Sequence, residues 1–513
     1  MNKKYLAFYL LLALHTVPGL YPFARAQDPA LSGGGLPETG LTAANTLQLT
    51  LKDAIQKARQ ASPDYKRAIN QAEASYWAFR NYRSRFLPQL SLYSTLPDYS
   101  TSLTKVTNPD GTESFVRQNR SFYSLDMGLR QNVPFTGGTF SVLSNLERLD
   151  ILSDPETTSY SSVPFAISYT QSSLLYNPYR WQQRIEPLRY ESSKRAFVEN
   201  MEEISLETTR QYFNLLAAQI QLSTARQNLA NTDTLYQISQ GRYTLGKIAE
   251  NELLQMELSL LNARNAVSNA ELNYQFTMQN LIRYLGLDRD ASLQLEVPTD
   301  TVFFTVSAAE ALAQAADNRQ AVIEFRRRRL QAEEEVARAK GENSVSINLL
   351  ANFGLSQNGP KLSDVYHDLN SQQRLQLTLS IPIMDWGVAK SRKRMAQANL
   401  ELEKANIERE QLAFEQEIVQ QTAQWNLQRD LLATATKARE TAIKRYEITK
   451  QRYLIGKISI TDLNLAQQEK DRAIETFIGA MRNYWNSYHT IRRLTLYDFE
   501  RNDRIVVELQ EFD

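Results

Sequence analysis

Ile238-Ser-Gln-Gly-Arg-Tyr-Thr-Leu-Gly-Lys-Ile248 recurs 210 residues later as Ile448-Thr-Lys-Gln-Arg-Tyr-Leu-Ile-Gly-Lys-Ile458. Each copy ends one long helical stretch and begins another, as the tip of a helical hairpin would. Leu188 to Gln240, Lys247 to Leu285 and Val388 to Ile455 contain neither glycine nor proline. As one helix, the last of these would be on the order of 100 Å long. That exceeds the core of a globular domain and implies a coiled coil or helical repeat.

Working outward from the tips, the same offset relates Leu463 to Leu253, Tyr484 to Tyr274 and Arg493 to Arg283. Further upstream it becomes 257, as in Ala54 to Ala311 and Leu90 to Ile347, so the first half carries 47 extra residues. They lie between two shared strands and include a turn at Pro134-Phe135-Thr136-Gly137-Gly138. Each repeat therefore reads helix, strand, strand, long helix, tip, long helix. Boundaries follow: 1–26 a signal peptide, 27–47 a flexible segment, 48–290 the first repeat, 291–306 a linker, 307–498 the second repeat and 499–513 a tail.

Leu375-Gln-Leu-Thr-Leu-Ser-Ile381 alternates strictly, which gives a strand one apolar and one polar face. In a bilayer the apolar face meets lipid, and such strands must close into a barrel to pair their edges. One chain offers few strands, so closure needs several copies. Tyr93, Phe122, Tyr123, Phe140, Tyr160, Phe165 and Tyr169 crowd the strand regions as interfacial girdles do, although β-propensity explains part of this enrichment.

Composition removes other classes. A net charge of +1 over 513 residues makes no electrostatic case for nucleic acid. The absence of cysteine excludes disulfides, thiolate chemistry and a lipidated N-terminal cysteine. Lys3 and Lys4, the apolar run Tyr5 to Leu14 and Ala24-Arg25-Ala26 before Gln27 form a secretory leader. No later stretch approaches about 20 apolar residues, so any membrane crossing falls to strands. Arg326 to Arg329, followed by Glu333 to Glu335, reads as a solvated, charge-compensated helix face.

Gly241-Arg-Tyr-Thr-Leu-Gly246-Lys247 imitates a phosphate-binding loop but fails it. Ile248 stands where Ser or Thr would hold Mg²⁺, a helix precedes the motif, and the second copy has Gln451 for the first glycine. His15, His367 and His489 are not spaced for a metal site or a catalytic dyad. No enzyme, cofactor or metal is expected.

The tips, with Glu252-Leu253-Leu254 after one and Asp462-Leu463 after the other, resemble those of the TolC family of outer-membrane efflux and secretion channels. The polar strand ending at Ile381-Pro382 and Trp386-Gly387 adds to the likeness, which covers nearly the whole mature chain. The resemblance implies a mainly α fold with a β-barrel part, in which a homotrimer builds a membrane barrel and a long helical coiled-coil tunnel. It also implies a passive export duct set in outer-membrane lipid, partnered by a periplasmic adaptor and an inner-membrane transporter. The alternative is a periplasmic structural coiled-coil protein without a pore.

By position, Tyr453 and Asp462 match the tyrosine and first acid of the family's gate, while its arginine falls on Ile458 and its second acid on Leu465. Tyr243 and Glu252 are the first-repeat equivalents. Three copies of the two acids would make a cation-favouring constriction. Each also reads as a plain N-terminal helix carboxylate, the preferred reading for Glu252. Arg242, Gly246, Lys247, Arg452, Gly456 and Lys457 are the adaptor-contact candidates. The 47 extra residues either add barrel strands or fold over the outer mouth.

Overall fold

The computed structural model describes residues 46–507 except Asn108, Pro155 and Ser344. The leader, most of the flexible segment and the end of the tail lie outside the described residues.

Two halves are visible in one chain. The first comprises β1 (Thr46–Leu49), α1 (Leu51–Ala61), α2 (Pro63–Ser84), β2 (Gln89–Thr107), β3 (Glu113–Val133), β4 (Gly138–Ile151), β5 (Thr157–Gln171), α3 (Pro178–Thr244) and α4 (Glu250–Leu285). The second comprises β6 (Ser292–Leu295), α5 (Ala308–Asn318), α6 (Gln320–Glu342), β7 (Ser346–Gly359), β8 (Asn370–Ser380), α7 (Val388–Leu454) and α8 (Ile460–Thr495), followed by the short pair β9 (Tyr497–Asp498) and β10 (Asp503–Arg504). The long helices match in length across the halves: 67 residues for α3 and α7, 36 for α4 and α8.

Several local expectations need correction. The stretch from Ser307 to Lys340 reads as one helix but breaks at Arg319, whose extended backbone ends α5 and opens α6 without a proline. Tertiary contacts hold the break: Arg195 of α3 donates to the Asp317 carbonyl at 2.7 Å, and Glu199 accepts the Gln320 N–H at 3.0 Å. Helix α3 starts at Pro178 and runs through Pro187 rather than starting after it. The removed amide costs one helical bond, which the 67-residue helix tolerates. The linker contributes β6, which pairs in parallel with β1.

The Arg326 to Arg329 cluster is more than a solvated face. Arg327 and Arg329 pair within α6, with Glu324 and Glu333, but Arg328 crosses to α7 and meets Glu403 and Glu410, each at 2.6 Å.

The main core lies where the short helices meet the middle of the long ones. Leu49, Ala54, Ala58, Tyr212, Phe213, Leu281, Ile282, Ala311, Ala315, Trp425, Tyr484 and Leu494 are all buried in it. Alanines at Ala54/Ala58 and at the equivalent Ala311/Ala315 are fully buried, as close helix packing requires. None of the described helices is long and apolar enough to cross a membrane. The six longer strands form one antiparallel sheet in the order β2-β3-β4-β5-β7-β8, with β2 and β8 at its edges.

A buried ion cluster crosses the core. Glu202 of α3 is fully buried between Arg59 of α1 at 2.7 Å and Arg492 of α8 at 3.2 Å; Arg492 also pairs with Asp498. Burial opposes the Glu202 charge, but the two guanidiniums outweigh it and hold its carboxyl below the usual range.

His489, one turn from Arg492, is buried against Trp485 and Tyr488 with neither ring nitrogen hydrogen-bonded. Burial, despite the pull of Glu202 and aided by Arg492 and Arg59, depresses it to about 4. An unfolded histidine titrates near 6.5. Between those values only the unfolded chain takes the proton, so stability should fall by about 3 kcal/mol as pH drops from 6.5 to 4. Melting midpoints of wild type should slope across that window, and those of His489→Phe should lose most of the slope.

Candidate channel gate at the helix tips

Both copies of the repeated motif fold as the same helix C-cap. At the first, Gly246 has φ +64°, its N–H donates to the Tyr243 carbonyl at 2.8 Å, and Lys247 N–H donates to the Arg242 carbonyl at 2.9 Å. At the second, Gly456 has φ +73°, with bonds to the Tyr453 carbonyl at 2.9 Å and from Lys457 to the Arg452 carbonyl at 3.0 Å. This is a Schellman closure, which satisfies the last carbonyls and needs a left-handed residue that glycine supplies at least cost. The Gly-Lys pair is thus the stop signal of a helix, not a phosphate cradle. A Cβ at Gly456 would meet open space, so Gly456→Ala should cost only the left-handed backbone, about 1 kcal/mol. Proteolysis at the tips should quicken accordingly, with the melting midpoint nearly unchanged.

The starts of the return helices differ. Ser459 caps α8: its Oγ accepts the Asp462 N–H at 3.2 Å, and the Asp462 carboxylate accepts the Ser459 N–H at 3.2 Å and hydroxyl at 2.8 Å. The equivalent of Ser459 is Ala249, which makes no side-chain cap, so Glu252 sits exposed in an uncapped first turn. Asp462 is exposed too, beside a groove between α7 and α8 lined by Lys444, Arg445, Arg452, Ile458 and Leu465.

The tips then lock onto each other. Tyr453 is buried, with its hydroxyl 3.1 Å from that of Ser239 on α3. Arg242 lies over the Tyr453 ring at 5.7 Å and donates to the carbonyls of Tyr453 and Leu454, the latter at 2.5 Å. Around Tyr453 pack Leu235, Met256, Tyr446, Ile460 and Leu463. A polar ladder continues the junction: Lys450 donates to Asn231, Lys470 to Asn228, and Asn228 to Asp471, all at 2.8–3.0 Å. The structure therefore brings together Tyr453 and Arg242, while Tyr243, Lys247, Glu252, Arg452, Lys457 and Asp462 remain exposed. Ser239 and the Asn228–Lys470 ladder escaped the sequence reading, since polar residues on a polar helix carry no signal until a partner helix is placed.

Among the described residues no group of histidine and acidic side chains is arranged to hold a metal. What the arrangement offers is two long hairpins clamped at their tips and rooted in an open sheet.

Comparison with known proteins agrees with this architecture. Residues 54–287 and 346–495 match the outer membrane efflux protein family model, and the chain belongs to that family. No curated relative matches by sequence. Solved structures show the same fold at low identity. A membrane protein from Pseudomonas aeruginosa is 14% identical with a TM-score of 0.64, covering 89% of this chain and 92% of its own. The Campylobacter jejuni CmeC outer membrane channel is 17% identical at 0.60, over 87% and 85%. VceC from Vibrio cholerae is 14% identical at 0.61, over 87% and 95%. The protein is an outer-membrane component of the efflux type and not an enzyme.

Proposed function

We propose that three copies of this chain form a passive export duct, closed at its periplasmic end by the helix tips and served there by an adaptor and an inner-membrane transporter. One observation carries the ring. Within the chain, α3 packs on α8, but the equivalent pair α7 and α4 makes no comparable contact. Their faces not covered within the chain instead expose apolar side chains, Leu258, Leu272 and Phe276 on α4, and Leu412, Leu427 and Leu431 on α7. The duplicated geometry is completed when α7 of one copy meets α4 of the next, which buries these rows.

The tip junction extends by the same rule. Ser239, Arg242 and Tyr453 have the 210-offset equivalents Thr449, Arg452 and Tyr243. Tyr243 of one copy then meets Thr449 of its neighbour, and the exposed Arg452 reaches the neighbour's last α3 carbonyls. The exposed Lys247 and Lys457, and the groove beside Asp462, face the adaptor. Three copies of Asp462 and Glu252 at the entrance favour cations.

The test is sizing in detergent followed by planar-bilayer recording. A conducting trimer is expected, with Tyr243→Cys and Thr449→Cys together giving covalently linked subunits on oxidation. Block by multivalent cations should weaken in Asp462→Ala with Glu252→Ala; unchanged block would remove the acidic constriction. A monomer without conductance, recovered in the soluble periplasm, would instead support the poreless coiled-coil reading.

A further inference from the structure

We infer that the extra hairpin of the first half is part of the membrane wall, so that the trimer closes an eighteen-stranded barrel. The inference rests on the trimeric reading above and adds the strand count and lumen.

Strands β3 and β4 are the inserted pair, and both lie inside the sheet, hydrogen-bonded along both edges. They cannot fold over a mouth without breaking the ladders β2–β3 and β4–β5. Their side-chain alternation is also in register with the flanking strands. On β3, Leu125, Met127 and Leu129 point to one face, opposite Leu146, Ser144 and Val142 of β4. Followed across the paired registers, that face continues as Leu90 and Leu92 of β2, Ile167 and Phe165 of β5, Phe353 of β7, and Leu375, Leu377 and Leu379 of β8. Leu90, Leu92, Leu125, Met127, Leu129, Phe165, Phe353 and the three β8 leucines are all exposed in the single chain. A soluble covering domain would have no use for such a band, whereas lipid would.

The band has the right height. At one end of β3 its face closes with Tyr123, opposite Arg148, which lies over the Tyr123 and Tyr160 rings. At the other end it closes with Gln131 opposite Phe140, which pairs with Tyr169. From Tyr123 to Gln131 is a length of about 9 residues, which a tilted strand needs to cross a bilayer. The opposite face, Leu143 apart, is polar along the band: Asp126 accepts from Asn145 at 2.5 Å and from Ser124 at 2.9 Å, and Asn145 also donates to Glu147. These groups line water in a barrel wall.

Six strands per chain, with β2 and β8 left as edges, make eighteen in a closed ring of three. Barrels of about 16–18 strands enclose an aqueous channel rather than a filled core. The wall therefore offers a wide lumen with acidic groups on the inserted strands.

The experiment exploits the lack of native cysteine. Single cysteines at Leu125, Met127 and Leu129, and at Asp126 and Gly128, are spin-labelled in the reconstituted full-length protein. Collision rates with oxygen and with a water-soluble nickel complex are then compared. The same scan at Leu375, Gln376, Leu377 and Thr378 of β8 serves as control, and only variants that size as wild type are read. Alternation on both strands, with oxygen favoured at 125, 127, 129, 375 and 377, is the expected result. Alternation on β8 with uniform nickel access on β3 overturns the eighteen-stranded wall and leaves the duct standing. Uniform nickel access on both strands overturns the membrane wall itself.

Discussion

Arg492→Met is expected to be the most damaging single change away from the strands. It leaves Glu202, fully buried, with Arg59 as its remaining ion-pair partner among the described residues, and strips Asp498 of its cation. Breaking a buried pair from one side costs about 3–5 kcal/mol, because the orphaned charge stays in a poor solvent. The proton economy changes as well. With one guanidinium gone, Glu202 rises towards the usual carboxylate range and the cluster binds a proton more readily. The fold then loses a stabilising ionised carboxylate at a higher pH than wild type. Thermal denaturation followed at several pH values should show a lower midpoint throughout and an acid-induced fall that begins earlier. Arg492→Met with Glu202→Leu and Asp498→Asn should recover much of the loss, since the buried charges are then gone and Arg59, about a third exposed, keeps its bond to Ser205. If that triple variant is as unstable as the single one, the damage is in packing and the charge argument fails.

The second large effect is expected at the tips, from Tyr453→Phe combined with Arg242→Ala. The pair removes the hydroxyl contact with Ser239 and the guanidinium bonds to the Tyr453 and Leu454 carbonyls. Each lost bond is worth about 1 kcal/mol net. If each copy loses about 1 kcal/mol of closed-state preference and the three move together, the open population rises on the order of a hundredfold. On the proposed trimeric duct, bilayer recording should show more frequent and longer openings than wild type, with little change in melting midpoint. A variant that stays as closed as wild type would place the clamp on both sides of the transition and remove it from gating.

The pH dependence expected from His489 and the local fraying from Gly456→Ala bear on separate layers of the molecule. The first reads the core where α1, α3 and α8 meet, the second only the cap. Neither should alter the conductance of an open channel.

The chain's covalent order already determines much of this. Arg-Tyr-x-x-Gly-Lys-Ile is a helix stop whose parts are local: the C3 and C2 carbonyls, a left-handed glycine and the next amide. Such a motif is legible because it is satisfied within six residues. The same holds for the alternation of Leu375 to Ile381, and for the constant 210 spacing that exposes the duplication. These three features identify long hairpins, a two-faced sheet and a repeat.

What only the tertiary structure decided depends on groups far apart in the chain. Arg319 breaks a helix without proline because α3 supplies partners for the freed groups, and Pro187, exposed on the surface of α3, stays inside it because the rest of the 67-residue helix outweighs one missing bond. Glu202 looks like any helical glutamate until Arg59 and Arg492, from opposite ends of the chain, arrive beside it. The duplication does not announce that site either: its equivalents are Leu412 for Glu202 and Ile282 for Arg492. The inserted hairpin was ambiguous in the sequence because alternation reports which faces differ, not which edges pair. Only the ladders on both sides of β3 and β4 place it in the sheet. Local caps and periods are set by bonds a few residues long, whereas charge burial and strand order are set by which distant segments meet.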